Sequence, residues 1–125
     1  MPIVVSSGQI LNLGNITLSP GDWDVEGYAI SYSTSSSVME NIFRVGISDT
    51  LTTFNIPYGF SKISGIITNF PTVYLPTIGN ALVTPTLRVN ITTTETRYIL
   101  AQSFYTAPSG QFISLAGSIY AIRRR

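Results

Sequence analysis

The sequence predicts an all-β fold, a single antiparallel β-sandwich, and three observations predict it. Thr, Ser, Ile, Val, Tyr and Phe dominate its 125 residues. Turn residues return about every 8 to 12 positions, and no window sustains the 3.6-residue apolar period of a helix. A chain of this length makes one domain, residues 1–125, and can bury a core without disulfides or metal.

The first strand is expected over residues 10–18. Ser19-Pro20-Gly21-Asp22 closes it, with Pro presetting φ and Gly accepting φ > 0. The second strand begins at once. Period-two geometry puts Trp23, Val25, Gly27 and Ala29 on one face and Tyr28, Ile30 and Tyr32 on the other. The polar run 33–37 reads as a loop. A strand over 41–48 follows, with Phe43, Val45 and Ile47 on one side and Arg44 and Ser48 facing away. From 49 to 80, Pro57, Pro71 and Pro76 punctuate short apolar pieces at 63–68 and 73–75, which predicts insertion loops and edge strands. Strands return over 83–91, 97–106 and 112–123, joined by Thr92-Thr93-Thr94-Glu95 and by Pro108-Ser109-Gly110. The last two strands are expected to pair as a hairpin.

Those two strands are apolar on both faces. Tyr98, Leu100 and Phe104 oppose Ile99, Ala101 and Tyr105; Phe112, Tyr120 and Ile122 oppose Ile113, Leu115 and Ile119. A half-solvated antiparallel strand would show one clean polar face. The pattern predicts one face in the core and the other against a second subunit. Composition agrees: 44% of the residues are hydrophobic and 10% charged, against roughly 25% charged in an ordinary domain. That leaves too little charge to coat a solitary globule, so self-association is expected. Tyr98, Phe104, Phe112 and Tyr120 are the candidate contact residues, and truncating a central aromatic should cost about 2 kcal/mol or more of association energy.

Chemistry has few places to reside. The chain holds no His and no Cys, which removes the commonest general base, the Ser-His-Asp and Cys-His arrangements and zinc–sulfur sites. Six carboxylates remain: Asp22, Asp24, Glu26, Glu40, Asp49 and Glu95. The first three alternate on one strand face and offer a Ca²⁺ or acid-pair reading. No EF-hand spacing supports the metal, so a solvated edge or an Arg-paired interface is preferred. No catalytic residue, metal or cofactor is expected. Trp23 could stack on a sugar, but its alternation with Val25 favours packing. Asn15-Ile16-Thr17 and Asn90-Ile91-Thr92 match the glycosylation pattern, which is short enough to recur by chance. Tyr58 and Tyr74 are candidate ligand contacts in the middle segment.

Net charge is +1, with Arg123, Arg124 and Arg125 as the one basic cluster. This is no footprint for nucleic acid, and the arginines are expected to be solvated or paired with a neighbouring subunit. No apolar run approaches the roughly 18 to 20 residues that span a bilayer, and the start lacks a signal peptide's pattern. No membrane insertion or ordinary export is expected.

Two segments then stand out: Ile16-Thr17-Leu18-Ser19-Pro20-Gly21-Asp22-Trp23-Asp24-Val25-Glu26-Gly27, and Arg97-Tyr98-Ile99-Leu100-Ala101-Gln102-Ser103-Phe104 with Gly117-Ser118-Ile119-Tyr120-Ala121-Ile122-Arg123-Arg124-Arg125. In this order they resemble a β-rich domain of tailed-phage virion fibre and decoration proteins, with Pro20, Gly21, Asp22, Trp23, Val25 and Gly27 carrying the opening motif. The sequence departs from that pattern at Ile122, where an Arg is usual, and over 50–79. The resemblance implies a jelly-roll-like sandwich, similar to tumour-necrosis-factor and C1q-like domains, assembled as a homotrimer. The implied role is structural, on a virion assembled in the host cytoplasm. The favoured expectation is a capsid decoration or short head-fibre protein partnered by itself and by major capsid or fibre protein. The alternative is a lectin-like, receptor-binding tail-fibre tip recognising host surface polysaccharide. The chain opens at Met1 with no coiled-coil shaft before its first strand, so a free-standing protein tethered by residues 1–8 is expected.

Overall fold

A computed structural model describes residues 3–33, 37–51, 66–69, 73–74 and 80–124. Ten strands follow in order: β1 (Ile3–Val5), β2 (Ile10–Leu18), β3 (Gly21–Tyr32), β4 (Met39–Ser48), β5 (Ile66–Asn69), β6 (Val73–Tyr74), β7 (Asn80–Val83), β8 (Leu87–Ile91), β9 (Glu95–Thr106) and β10 (Ile113–Arg123). The described residues contain no helix.

The strands form two antiparallel sheets. The first runs β1-β10-β3, and both β7 and β8 pair with the remaining edge of β3. The second runs β2-β9-β4, and both β5 and β6 pair with β4. Their inner faces share one apolar core. Val5, Val25, Ala29, Val89, Ile91, Ile113 and Leu115 come from the first sheet, and Leu18, Phe43, Val45, Ile47, Ile99 and Ala101 from the second. The architecture is that of a β-sandwich.

Sequence and structure agree on β2, on both faces of β3 and on the inward set of β4. They differ in three places. The strand expected over 83–91 is two strands, broken at Thr84-Pro85-Thr86, because Pro85 has no N–H to continue the ladder. Thr84 repairs the gap: its N–H donates to the Gly27 carbonyl at 2.8 Å and its Oγ1 accepts from the Gly27 N–H at 3.0 Å. The expected β9–β10 hairpin does not form. β9 lies in the second sheet and β10 in the first, so residues 107–112 are an arch over the end of the sandwich. Two strands apolar on both faces satisfy hairpin and arch equally, and alternation does not separate them. Finally, the segment expected as a tether contains β1, paired in register Val5↔Ile113 with Val5 buried.

Candidate functional site

Pairing of β3 with β10 brings the two motif segments side by side, with Trp23 opposite Arg123 and Asp24 opposite Ile122. The Arg123 guanidinium lies 5.5 Å from the centre of the Trp23 ring and donates to the Pro20 carbonyl at 3.0 Å. The Trp23 Nε1–H donates to the Ser19 carbonyl at 2.9 Å. Arg124 reaches Asp24 at 2.7 Å, and its backbone N–H donates to the Asp22 carbonyl. Asp22 takes a bidentate contact from Arg88, at 3.3 and 2.7 Å. That hydrogen bond, with the charge of Asp22, raises the Arg88 pKa above its ordinary value.

Each motif residue therefore has a place. Gly21 has φ +152°, and a Cβ there would lie 3.0 Å from the Arg123 guanidinium. Val25 is fully buried. A Cβ on Gly27 would lie 2.7 Å from Ile99 Cδ1. Asp22 and Asp24 are paired with arginines of the same chain, and the described residues contain no group of three or more acidic side chains able to hold a metal. Replacing Arg123 and Arg124 together by Ala is expected to cost about 1 kcal/mol, because exposed cation–π contacts and surface ion pairs are each worth about 1 kcal/mol or less. A urea midpoint measurement checks it.

The four candidate contact residues fall on two opposite surfaces. Phe112 and Tyr120 are on the outer face of the first sheet. Tyr98 and Phe104 are on the outer face of the second, where a Cβ on Gly8 would lie 3.1 Å from the Phe104 ring. Tyr58 lies outside the described residues, as does Arg125, and Tyr74 is placed only as a backbone position of β6.

Among the described residues, the outer face of the first sheet exposes more large apolar side chains than that of the second. In register across β10, β3 and β7, Tyr28 sits between Ser118 and Val83, Tyr120 is opposite Glu26, and Ile122 is opposite Asp24. Tyr28, Val83, Tyr120 and Ile122 are 42%, 59%, 43% and 59% exposed. Half-buried Ile30 continues the patch. Glu26 and the Asp24–Arg124 and Asp22–Arg88 pairs border it, so it has an apolar centre and a charged margin. No protein-family model, curated protein or solved structure matches the chain.

One polar cluster escaped the sequence reading. Glu40 is fully buried between the sheets and accepts from Ser31 Oγ at 2.8 Å, Asn80 Nδ2 at 2.8 Å and Ser103 Oγ. Strand alternation from Phe43, Val45 and Ile47 places an even-numbered residue outside. A bulge between Glu40 and Ile42 reverses that parity and turns Glu40 inward. Arg97, also buried, donates to Glu95 at 2.9 Å and to the Thr96 carbonyl at 3.2 Å. Both are held among their own neighbours and act as internal ties.

Proposed function

We propose that the chain is a non-enzymatic, self-assembling surface module of a phage virion, a jelly-roll domain that decorates the capsid or forms a short head fibre as a homotrimer. The patch of Tyr28, Val83, Tyr120 and Ile122 carries the self-assembly on which this reading turns. Four large side chains about half exposed present on the order of 400 Å² of apolar surface. A standard interface buries about 800 Å² per partner, a little over half of it apolar, so the patch is the size that a second copy would cover. Its apolar centre and charged margin match interface anatomy.

Strand pairing supports the jelly-roll part. With β5 and β6 counted as one interrupted strand, and β7 and β8 as another, eight strands pair first with last: β1 with β10, β2 with β9, β3 with β7 and β8, β4 with β5 and β6. Successive pairs alternate between the sheets. One long antiparallel hairpin rolled into two layers is the arrangement expected of a jelly roll. The virion assignment rests on the resemblance of the two motif segments.

Ile122→Lys should convert the assembly to monomer at micromolar concentration, read by light scattering, since it replaces a large apolar group of the patch by a charge that the contact would have to desolvate. Tyr120→Ala should weaken association about 30-fold. For the virion assignment, electron microscopy of purified particles is expected to show three-fold density for this protein on the outside of the capsid. Particles that lack the protein would contradict it.

A further inference from the structure

At the other end of the same outer face, the β9–β10 arch and β1 enclose a cleft of about 240 Å³. Tyr32 and Phe112 supply aromatic walls, with Val4 beside them. Ser33, Gln111 and Ser114 supply hydroxyl and amide groups, and Gly110 lines it as well. None of the lining residues is ionisable near neutral pH. Gly110 turns the arch at φ +81°, and Phe112 follows it just before β10.

We infer that this cleft is a subsite for one neutral pyranose ring of a saccharide. The chemistry matches on three counts. A pyranose has an apolar face of C–H groups, which packs on an aromatic ring, and a rim of hydroxyls, which exchange hydrogen bonds with hydroxyl and amide side chains. A purely apolar occupant would make no use of the hydroxyl and amide groups in the lining. A charged one would find no counter-charge among the lining residues. The volume lies below the roughly 300 Å³ at which drug-sized pockets begin, and suits a single ring.

The cleft adjoins the assembly patch where Ile30 and Tyr32 share the outer face of β3, and its β10 wall lies well away from Tyr120. Ser114 and Tyr120 are six positions apart on β10, about 20 Å along the strand. A copy covering Tyr120 and Ile122 can leave Phe112 and Tyr32 open. The inference holds whether or not the chain trimerises, and its test is independent of the oligomer measurement.

The test titrates the full chain with methyl glucoside, methyl galactoside, methyl mannoside and N-acetylglucosamine, and with glucuronate as a charged control, followed by backbone amide NMR. The expected result is saturable shifts at Gly110, Gln111 and Ser114 with at least one neutral sugar, in the millimolar range typical of one small ring. Phe112→Ala should weaken binding about tenfold and Ser114→Ala about threefold. Phe112 is 49% exposed and outside the core, so its variant should keep the wild-type spectrum elsewhere. Asn15→Ala, on the outer face of the opposite sheet, should bind as wild type does. No saturable shift with any neutral sugar, glucuronate bound as tightly as the best of them, or binding indifferent to Phe112→Ala would each overturn the inference.

Discussion

Gly117→Ala is expected to destabilise the protein by about 3 kcal/mol or more, or to abolish its soluble expression. A Cβ at this position would lie 2.4 Å from the Tyr28 carbonyl oxygen and 2.9 Å from Leu13 Cδ1. Tyr28 belongs to β3, the strand β10 pairs with, so the nearer obstacle is backbone and cannot swing away. Relief requires β10 to lift off β3, which is the spine of the first sheet. Ordinary overpacking costs about 1 to 3 kcal/mol where side chains can adjust; here the ladder itself must give. Gly110→Ala is the control. Nothing lies within 4 Å of a Cβ there, and only its φ of +81° is unfavourable, so it should cost about 1 kcal/mol. Urea unfolding of the two variants separates close approach from backbone strain, and equal losses would contradict the packing account.

Removing the Glu40 side chain should be comparably damaging. Glu40→Ala leaves Ser31, Ser103 and Asn80 without their shared acceptor and opens a cavity between the sheets. An unsatisfied buried donor costs about 1 to 3 kcal/mol, and the cavity adds to it. Relief from burying a carboxylate offsets part of the sum, so a net loss of about 3 kcal/mol is expected. Glu40→Gln preserves shape, keeps an acceptor oxygen for Ser31 and Asn80, and lets the Ser103 hydroxyl rotate to accept; it should cost about 1 kcal/mol or less. Equal losses for Ala and Gln would mean that charge, rather than hydrogen-bond satisfaction, is what holds the cluster.

These two positions mark the limits of sequence reading for this chain. Alternation grouped Val25 with Ala29, Phe43 with Val45 and Ile47, and Ile99 with Ala101, because, inside a regular strand, parity alone decides the face; that the three groups share one core came from the sheet packing. Parity fails at bulges. The bulge at β4 reverses Glu40. A second, at Asn12–Gly14 of β2, is fixed by the Gly14 N–H donating to Asn12 Oδ1 at 3.1 Å, and it turns Leu11 and Leu13 inward with Ile16 and Leu18. Pairing between distant strands was equally hidden. Tyr32 and Phe112 are 80 positions apart and meet only because Ser114 registers with Tyr32. The motif arginines were expected in solvent or against a neighbouring subunit; that Arg124 pairs with Asp24 and Arg123 lies over Trp23 of the same chain depends on β10 running beside β3.

The central claim is that the exposed face of Tyr28, Val83, Tyr120 and Ile122 is covered by further copies of the chain. Its most direct test is the native mass of the purified protein at micromolar concentration, by sedimentation equilibrium. The account predicts three times 13.6 kDa. A concentration-independent mass of one chain would contradict it.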